Sequence, residues 1–557
     1  MGSAASTSKG AEDQGIVQLE RRLQASGDLP FLQRAFSHLS ASGSGSMSHS
    51  IPSMTLQDCF SLMPLKTRAD STVLVFISQL GPAISHNFFR TPSGQVDWPL
   101  FITGFDRCCK QGLGADRLKS LLTLFGDGES DGPLPGLQLE GNKDLVGFVT
   151  VDQVHDLLCL CWLMMCHARL PTSIKLAGSA NSNEMDITLP DLRPLYNSFY
   201  AAATGSYPDK STDVSSKEEI LVERLCSWIL TVIPGISECM AQYVQAQLQR
   251  LGSENNEVSF DEKTGIHAEA GVSEKEKDLQ ETEVAEDTVQ LGLLTSGTAW
   301  SIGLSSRDSS TKQLISAACD LWGGSESYPS LIYRASNHGQ GMNRFWTRVE
   351  GYKGPLLMLI SATTKDGDES ESVSKRKKWI VGALIPGGLD NKENFYGSSG
   401  CCLFAVAPNF LPLRSTGRET NYVYSYKKTP GTIYRSHPIP EGVGFGGSMG
   451  RERLWLDADF AFLTVHHHAV DKTYHSGALV PGQGYAAVQG KVGEVEVWGL
   501  GGSDADEQQA KFQHRENLFA EQRRKVDLKS FGNWRDSPEA AMMDMVSNPQ
   551  KATREER

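Results

Sequence analysis

The chain has 557 residues, with 53 lysines and arginines against 66 aspartates and glutamates, a formal net charge of −13. That length exceeds what one hydrophobic core fills and predicts about two to four domains, while the negative charge opposes broad nucleic-acid binding. No uninterrupted apolar run reaches the ~18 residues that cross a bilayer; the longest, Leu157 to Cys166, is bounded by His155, Asp156 and His167, which predicts a buried helix in a soluble chain.

Eleven cysteines without a secretory leader point to a reducing compartment, cytosol or nucleus. Cys108-Cys109 and Cys401-Cys402 then read as packing residues. At the N-terminus, Met1-Gly2-Ser3-Ala4-Ala5-Ser6 fits the N-myristoylation pattern, with Gly2 exposed once the methionine is removed. One acyl chain gives only reversible membrane binding. Glu12 and Asp13 oppose Lys9 and no cysteine lies nearby, so a second membrane signal must come from a partner. Within this segment, 1–50, Ile16, Leu19 and Leu23, then Leu29, Leu32, Phe36 and Leu39, are spaced as two short helices before a Ser/Gly-rich break over 40–50.

The signals stay helical from 51 to 251, and one local grammar occurs twice. In Gly94-Gln95-Val96-Asp97 and Gly147-Phe148-Val149-Thr150 a turn glycine is followed by a valine and then by a residue, Asp97 or Thr150, that caps an apolar helix. That is the second half of an EF-hand. Counting each glycine as loop position six puts Phe89, Thr91 and Ser93, or Asn142, Asp144 and Val146, at the first ligand positions. The twelfth is Leu100 or Gln153, where calcium needs a bidentate glutamate. A third run, Asp127-Gly128-Glu129-Ser130-Asp131-Gly132, is broken by Pro133 and Pro135 and reads as a solvated loop. The region is expected to be a degenerate EF-hand-like scaffold without metal.

Residues 252–290 hold 12 acidic and 3 basic side chains, a composition that favours a disordered linker. From 291 to 502 strands and turns dominate, with Lys365 to Lys378 as a charged hairpin insertion between Leu356-Ile360 and Trp379-Leu384. The segment 503–557 turns helical, and Ala505, Phe512, Phe519 and Val526 recur every seven residues on a polar background. That narrow stripe suits either a helix lying across its own domain or one offered to a partner.

Few constellations invite chemistry. His466 and His468 of the run His466-His467-His468 share a strand face, yet no Cys-x-x-Cys or acidic partner completes a metal site. Cys159, Cys161 and Cys166 between His155 and His167 match a ligand set by count, but on a helix Cys161 points away from the other two. No nucleophile elbow, phosphate loop or dinucleotide fingerprint is present, so no catalytic residue and no cofactor are expected. Lys375, Arg376, Lys377 and Lys378 form a basic run that suits nuclear import factors or anionic lipids, or else a solvated loop end opposing Asp366, Asp368, Glu369 and Glu371.

Several blocks in order carry a resemblance: Leu331-Ile332-Tyr333-Arg334, Gly354 to Ile360, Phe395-Tyr396-Gly397-Ser398-Ser399, Gly442 to Gly447, Leu454 to Phe460, and Glu496-Val497-Trp498-Gly499. Together they resemble a TLDc domain. The order of parts, acylatable Gly2, EF-hand-like helices, TLDc and helical tail, is similar to the lipid-anchored branch of that family, described as mTOR-associated and lysosomal. The resemblance implies an α+β multidomain chain in which a TLDc β-sandwich with flanking helices follows the helical domain. It also implies a non-enzymatic adaptor on endomembranes of the lysosome or vacuole, with V-ATPase subunits as partner. Gly444, Phe445 and Gly446 would belong to its recognition surface, and Phe512, Phe519 and Val526 to a second contact. The alternative is a nuclear or nucleolar protein of the oxidative-stress response, directed by Lys375 to Lys378. Val381-Gly382-Ala383 and Met342-Asn343 depart from the family's usual Phe-Gly-Gly and Ser-Phe.

Overall fold

The structure is a computed structural model. It describes residues 4–534 apart from 42–49, 63–64, 67–70, 90–93, 110–111, 113, 125–136, 141–143, 170–184, 187–188, 206–218, 254–291, 307–308, 320–328, 365–376, 429–436 and 481. Gly2, Lys375, Arg376, the Asp127–Gly132 run and the acidic segment therefore lie outside the described residues. Among those described, no single helix is long and apolar enough to cross a bilayer.

After α1 (Ala4–Ser26) the chain builds four helix–strand–helix units. The first is α2 (Leu29–Ala41), β1 (Ser50–Pro52) and α3 (Ser53–Cys59). The two-residue β2 (Leu65–Lys66) leads to the second, α4 (Ser71–Phe89), β3 (Gln95–Asp97) and α5 (Trp98–Cys109). The third runs α6 (Gly114–Leu122), β4 (Leu137–Glu140), β5 (Asp144–Thr150) and α7 (Val151–Ala168). After β6 (Met185–Asp186), which pairs with β2, the fourth comprises α8 (Arg193–Thr204), β7 (Glu219–Leu221) and α9 (Val222–Val232).

The units join in twos through antiparallel pairs, β1 with β3 and β5 with β7. At the centre of each paired stretch one apolar side chain, Ile51, Val96, Val149 or Ile220, is buried. The caps read from sequence form: Asp97 Oδ1 accepts from Leu100 N at 3.1 Å, and Thr150 makes a capping box with Gln153. Sequence reading found only the units at Gly94 and Gly147. The break expected at residue 50 falls between α2 and α3 of the first unit, and its Ser/Gly-rich stretch at 42–49 lies outside the described residues.

A short 3-10 turn (Pro234–Glu238) and α10 (Cys239–Ser253) close the helical region; α11 (Ser296–Ser305) and α12 (Ser309–Cys319) lead to the sheet. The sheet region comprises β8 (Ser330–Arg334), α13 (Ala335–His338), α14 (Met342–Val349), β9 (Leu356–Thr364), β10 (Lys377–Ile385), β11 (Lys392–Tyr396), β12 (Cys402–Ala407) and β13 (Leu411–Arg414). It continues with β14 (Val423–Tyr426), β15 (Gly442–Phe445), β16 (Leu454–Asp457), β17 (Phe462–Val465) and β18 (Val488–Gly499), and α15 (Gly502–Trp534) follows. One antiparallel sheet of eleven strands, ordered β11-β14-β15-β16-β17-β18-β9-β10-β12-β13 with β8 also on β18, curls over its own core. A single curled sheet thus supplies both layers of the expected sandwich. β9 and β10 pair antiparallel from Leu356↔Ile385 to Thr364↔Lys377, and residues 365–376 of the expected hairpin insertion between them lie outside the described residues.

Three strands are buried on both faces. Met358 and Ile360 of β9, Val381 and Ala383 of β10, and Leu403 of β12 point into the curl. Leu357, Leu359, Leu384, Phe404 and Val406 point the other way, into the core that also holds α7, α10, α11 and α12. That explains why these strands read as unbroken apolar runs. Hydrogen bonds fasten the same junction: Arg414 donates to the Thr231 carbonyl at 2.7 Å and to that of Ser305 at 2.6 Å, and Phe410 N donates to Pro194 O at 2.9 Å.

Because this core is shared, Phe404→Ala should cost about 3–5 kcal/mol and shift the helical and tryptophan signals together in urea. A helical signal that outlasts the sheet would show two independent cores. His167, at the end of α7, gives a second expectation. It is buried, neither ring nitrogen has a described partner, and burial together with Arg250 lowers its pKa to about 4. The unfolded chain, with an ordinary imidazole, therefore binds the proton first. Stability is complete above pH ~6.5 and falls by up to ~3 kcal/mol as pH drops towards 4. Denaturation across that range should show the loss, and His167→Leu should flatten it.

Candidate partner-binding surface

The sheet's last strand sets up the surface. Glu496 on β18 is fully buried, and Arg334 Nη2 sits 2.9 Å from its Oε1. Leu293 N donates to Oε1 at 3.0 Å, while Leu294 N (3.3 Å) and Trp498 Nε1 (2.9 Å) donate to Oε2. One carboxylate thus ties the chain ahead of α11 to β8 and β18, with the charge paired and both oxygens engaged. The Glu496–Gly499 block picked out in the sequence owes its acid to this clamp.

From the end of β18 the chain turns into α15. Its first three turns lie on the domain: Ala505 and Gln509 are buried, Gln509 Nε2 donates to Arg348 O at 2.6 Å, and Ser330 Oγ donates to Asp506 Oδ1 at 2.8 Å. Phe512 covers Gly351, whose φ is +87° and where a Cβ would stand 2.3 Å from the Phe512 ring. From His514 to Lys525 every residue is exposed. Leu518 and Phe519 are 46% and 55% accessible there, on a helix too polar to be stabilised by its own packing. The root of α15 holds its outer half clear of the domain.

This arrangement divides the heptad stripe. Ala505 and Phe512 are structural, Phe519 is offered to solvent, and the side chain of Val526 lies outside the described residues. Leu518, missed in the sequence because it is out of the seven-residue register, is exposed beside Phe519.

The other assigned surface is interior. Gly444, Phe445 and Gly446 are buried at and just beyond β15, between β14 and β16. A Cβ on Gly444 would lie 3.0 Å from the Trp455 ring and one on Gly446 2.8 Å from Tyr474, so these glycines serve close packing and expose no face for a partner. The turn after them is pinned by a buried ion pair, Arg453 with Asp471 at 2.9 Å, and by Thr473, which donates to Asp471 at 2.6 Å and accepts from Gly447 N. Lys377 and Lys378 are exposed at the start of β10.

The groups weighed for metal or redox chemistry are held otherwise. His466 Nδ1 lies 2.7 Å from Glu452 O and His467 stacks on Tyr485. Among the described residues no group of three or more His, Cys, Asp or Glu has a geometry that would hold a metal. All eleven cysteines are free thiols, seven buried and four half-buried. Burial raises Cys401 to about 11 and Cys402 to about 12, and pushes Cys108, Cys166 and Cys239 well above the usual thiol range, which suppresses the thiolate needed for attack.

The TLDc domain family matches residues 313–501, from α12 to the turn before α15. The chain carries a TLDc domain there. Relatives match about a third of this chain at low identity. MTOR-associated protein MEAK7 of Danio rerio is 27% identical over 175 residues, 31% of this chain and 32% of that protein. The Homo sapiens protein of the same name is 24% identical over 181 residues, 32% and 34% of the two chains. Oxidation resistance protein 1 of Xenopus laevis is 25% identical over 172 residues, 31% of this chain and 16% of that protein. The match thus spans about a third of the length of the MEAK7 relatives.

Gly351→Ala should strain the left-handed backbone and push Phe512 out, costing about 1–3 kcal/mol. Hydrogen exchange should then speed up at Ala505–Gln513. Leu518→Ser with Phe519→Ser should leave the same amides unchanged; equal deprotection by both variants would mean that the outer half also packs on the domain.

Proposed function

We propose that this chain is a non-enzymatic TLDc adaptor, held reversibly at the cytoplasmic face of an endomembrane by an acyl chain on Gly2 and bound to V-ATPase subunits, acting in stress or growth signalling. The observation that carries the reading is α15: a docked root presents Leu518 and Phe519 on a solvent-exposed helix, the form in which helix-in-groove recognition takes place. Membrane attachment and helix capture together raise affinity through effective concentration, which suits a single weak acyl anchor. Relatives named for mTOR association and for oxidation resistance support a signalling or stress role. Buried thiols with raised pKa values count against an oxidant-handling enzyme. Exposed Lys377 and Lys378 keep the nuclear alternative in view.

The test is recovery of partners from cells expressing the full chain. Leu518→Ser with Phe519→Ser should lower co-purification of pump subunits by at least about tenfold without moving the thermal transition. Gly2→Ala should move the protein from the membrane to the soluble fraction. Intact protein that recovers no pump subunit and gathers in nuclei unless Lys375 to Lys378 are replaced would establish the nuclear reading instead.

A further inference from the structure

The acidic charge of the chain is concentrated just ahead of Gly292 in the sequence. Residues 278–290 carry Asp278, Glu281, Glu283, Glu286 and Asp287 and no basic residue, with Leu279 and Val284 between them and Val289 just after. Just beyond, Leu293 and Leu294 are tied to Glu496 through their amides. Gly292 lies so close to that clamp that a Cβ would stand 2.4 Å from Arg334 Nη2. Gly292 to Leu294, which follow the acidic stretch in the sequence, are therefore fixed on β18, whose last residue, Gly499, is three short of the start of α15 at Gly502.

The outer half of α15 has the opposite character. At 100° per residue, Arg515, Leu518, Phe519, Arg523 and Lys525 fall within ~160° of the helix circumference, while Glu516, Glu521 and Arg524 fall outside it. All of these residues are exposed. An apolar pair flanked by three cations matches a segment in which acids alternate with Leu279, Val284 and Val289.

We propose that residues 278–290 bind this face of α15 in the same chain, with carboxylates on Arg515, Arg523 and Lys525 and aliphatic side chains on Leu518 and Phe519. Reach is sufficient. About fourteen extended residues span up to ~48 Å, and Lys525 lies ~35 Å along the helix from Gly502. Individually weak exposed ion pairs suffice because the tether holds the two partners at millimolar effective concentration. The surface through which the adaptor reading has α15 capture a partner is then covered by the chain itself until a partner competes. The internal contact needs no partner, so its failure would leave the adaptor reading untouched.

Carbodiimide joins carboxylates to lysine at contact distance and tests the proposal on the full-length protein. Peptide mass spectrometry should find Lys525 linked to a carboxylate between Asp278 and Asp287 at about 50 mM salt, with a yield about tenfold lower at about 500 mM. Arg515→Glu with Arg523→Glu should lower it about as much at low salt, with an unchanged thermal transition because both positions are exposed. No link, or a link indifferent to salt and to charge reversal, would overturn the proposal. So would a link found only between light and heavy chains in an isotopic mixture, which would make a second copy the occupant.

Discussion

Burial of β9, β10 and β12 on both faces is the constraint on which the rest of the molecule depends. A sheet with one wet face would leave the helical region as a separate body. Here Leu357, Leu359, Leu384, Phe404 and Val406 take the core of the curled sheet through to α7, α10, α11 and α12. Helices far in sequence from the strand-rich region thereby share its stability, and Arg414 of β13 fixes the junction by donating to carbonyls of α9 and α11.

The Glu496 clamp depends on that frame. A carboxylate with no solvent exposure is tolerable because Arg334 and three N–H donors meet it, and those donors are placed by β8, β18 and the chain entering α11. The clamp fixes Leu293 and Leu294, just after the acidic segment in the sequence, and lies on the strand, β18, from which the chain turns into α15. Fold and surface meet at this point. The root of α15 is spent on its own domain at Ala505, Gln509 and Phe512, and only then does the helix present Leu518 and Phe519.

Much of this was legible before the structure. Local rules identified the capped helices after Asp97 and Thr150, the β9–β10 hairpin and the buried helix at Leu157 to Cys166, because capping and unbroken apolar runs leave short-range marks. The units built on Ile51 and Ile220 were missed, since a three-residue strand carries no periodicity. The glycines at 444 and 446 were assigned to a partner surface although Trp455 and Tyr474 fill the space beside them. A glycine needed for close packing and one left bare for a ligand look alike in sequence.

The sequence by itself determined the local elements, the polarity that keeps α15 from burying itself, and the concentration of acidic charge ahead of Gly292. These follow from side-chain chemistry and spacing along the chain. Only the tertiary structure decided that helices and sheet share a core, that Glu496 gathers four partners and that the seven-residue stripe divides between Phe512 and Phe519. Most of these partners lie far apart in sequence, up to 203 residues for Glu496 and Leu293, and which of two similar phenylalanines is covered depends on where the domain surface ends.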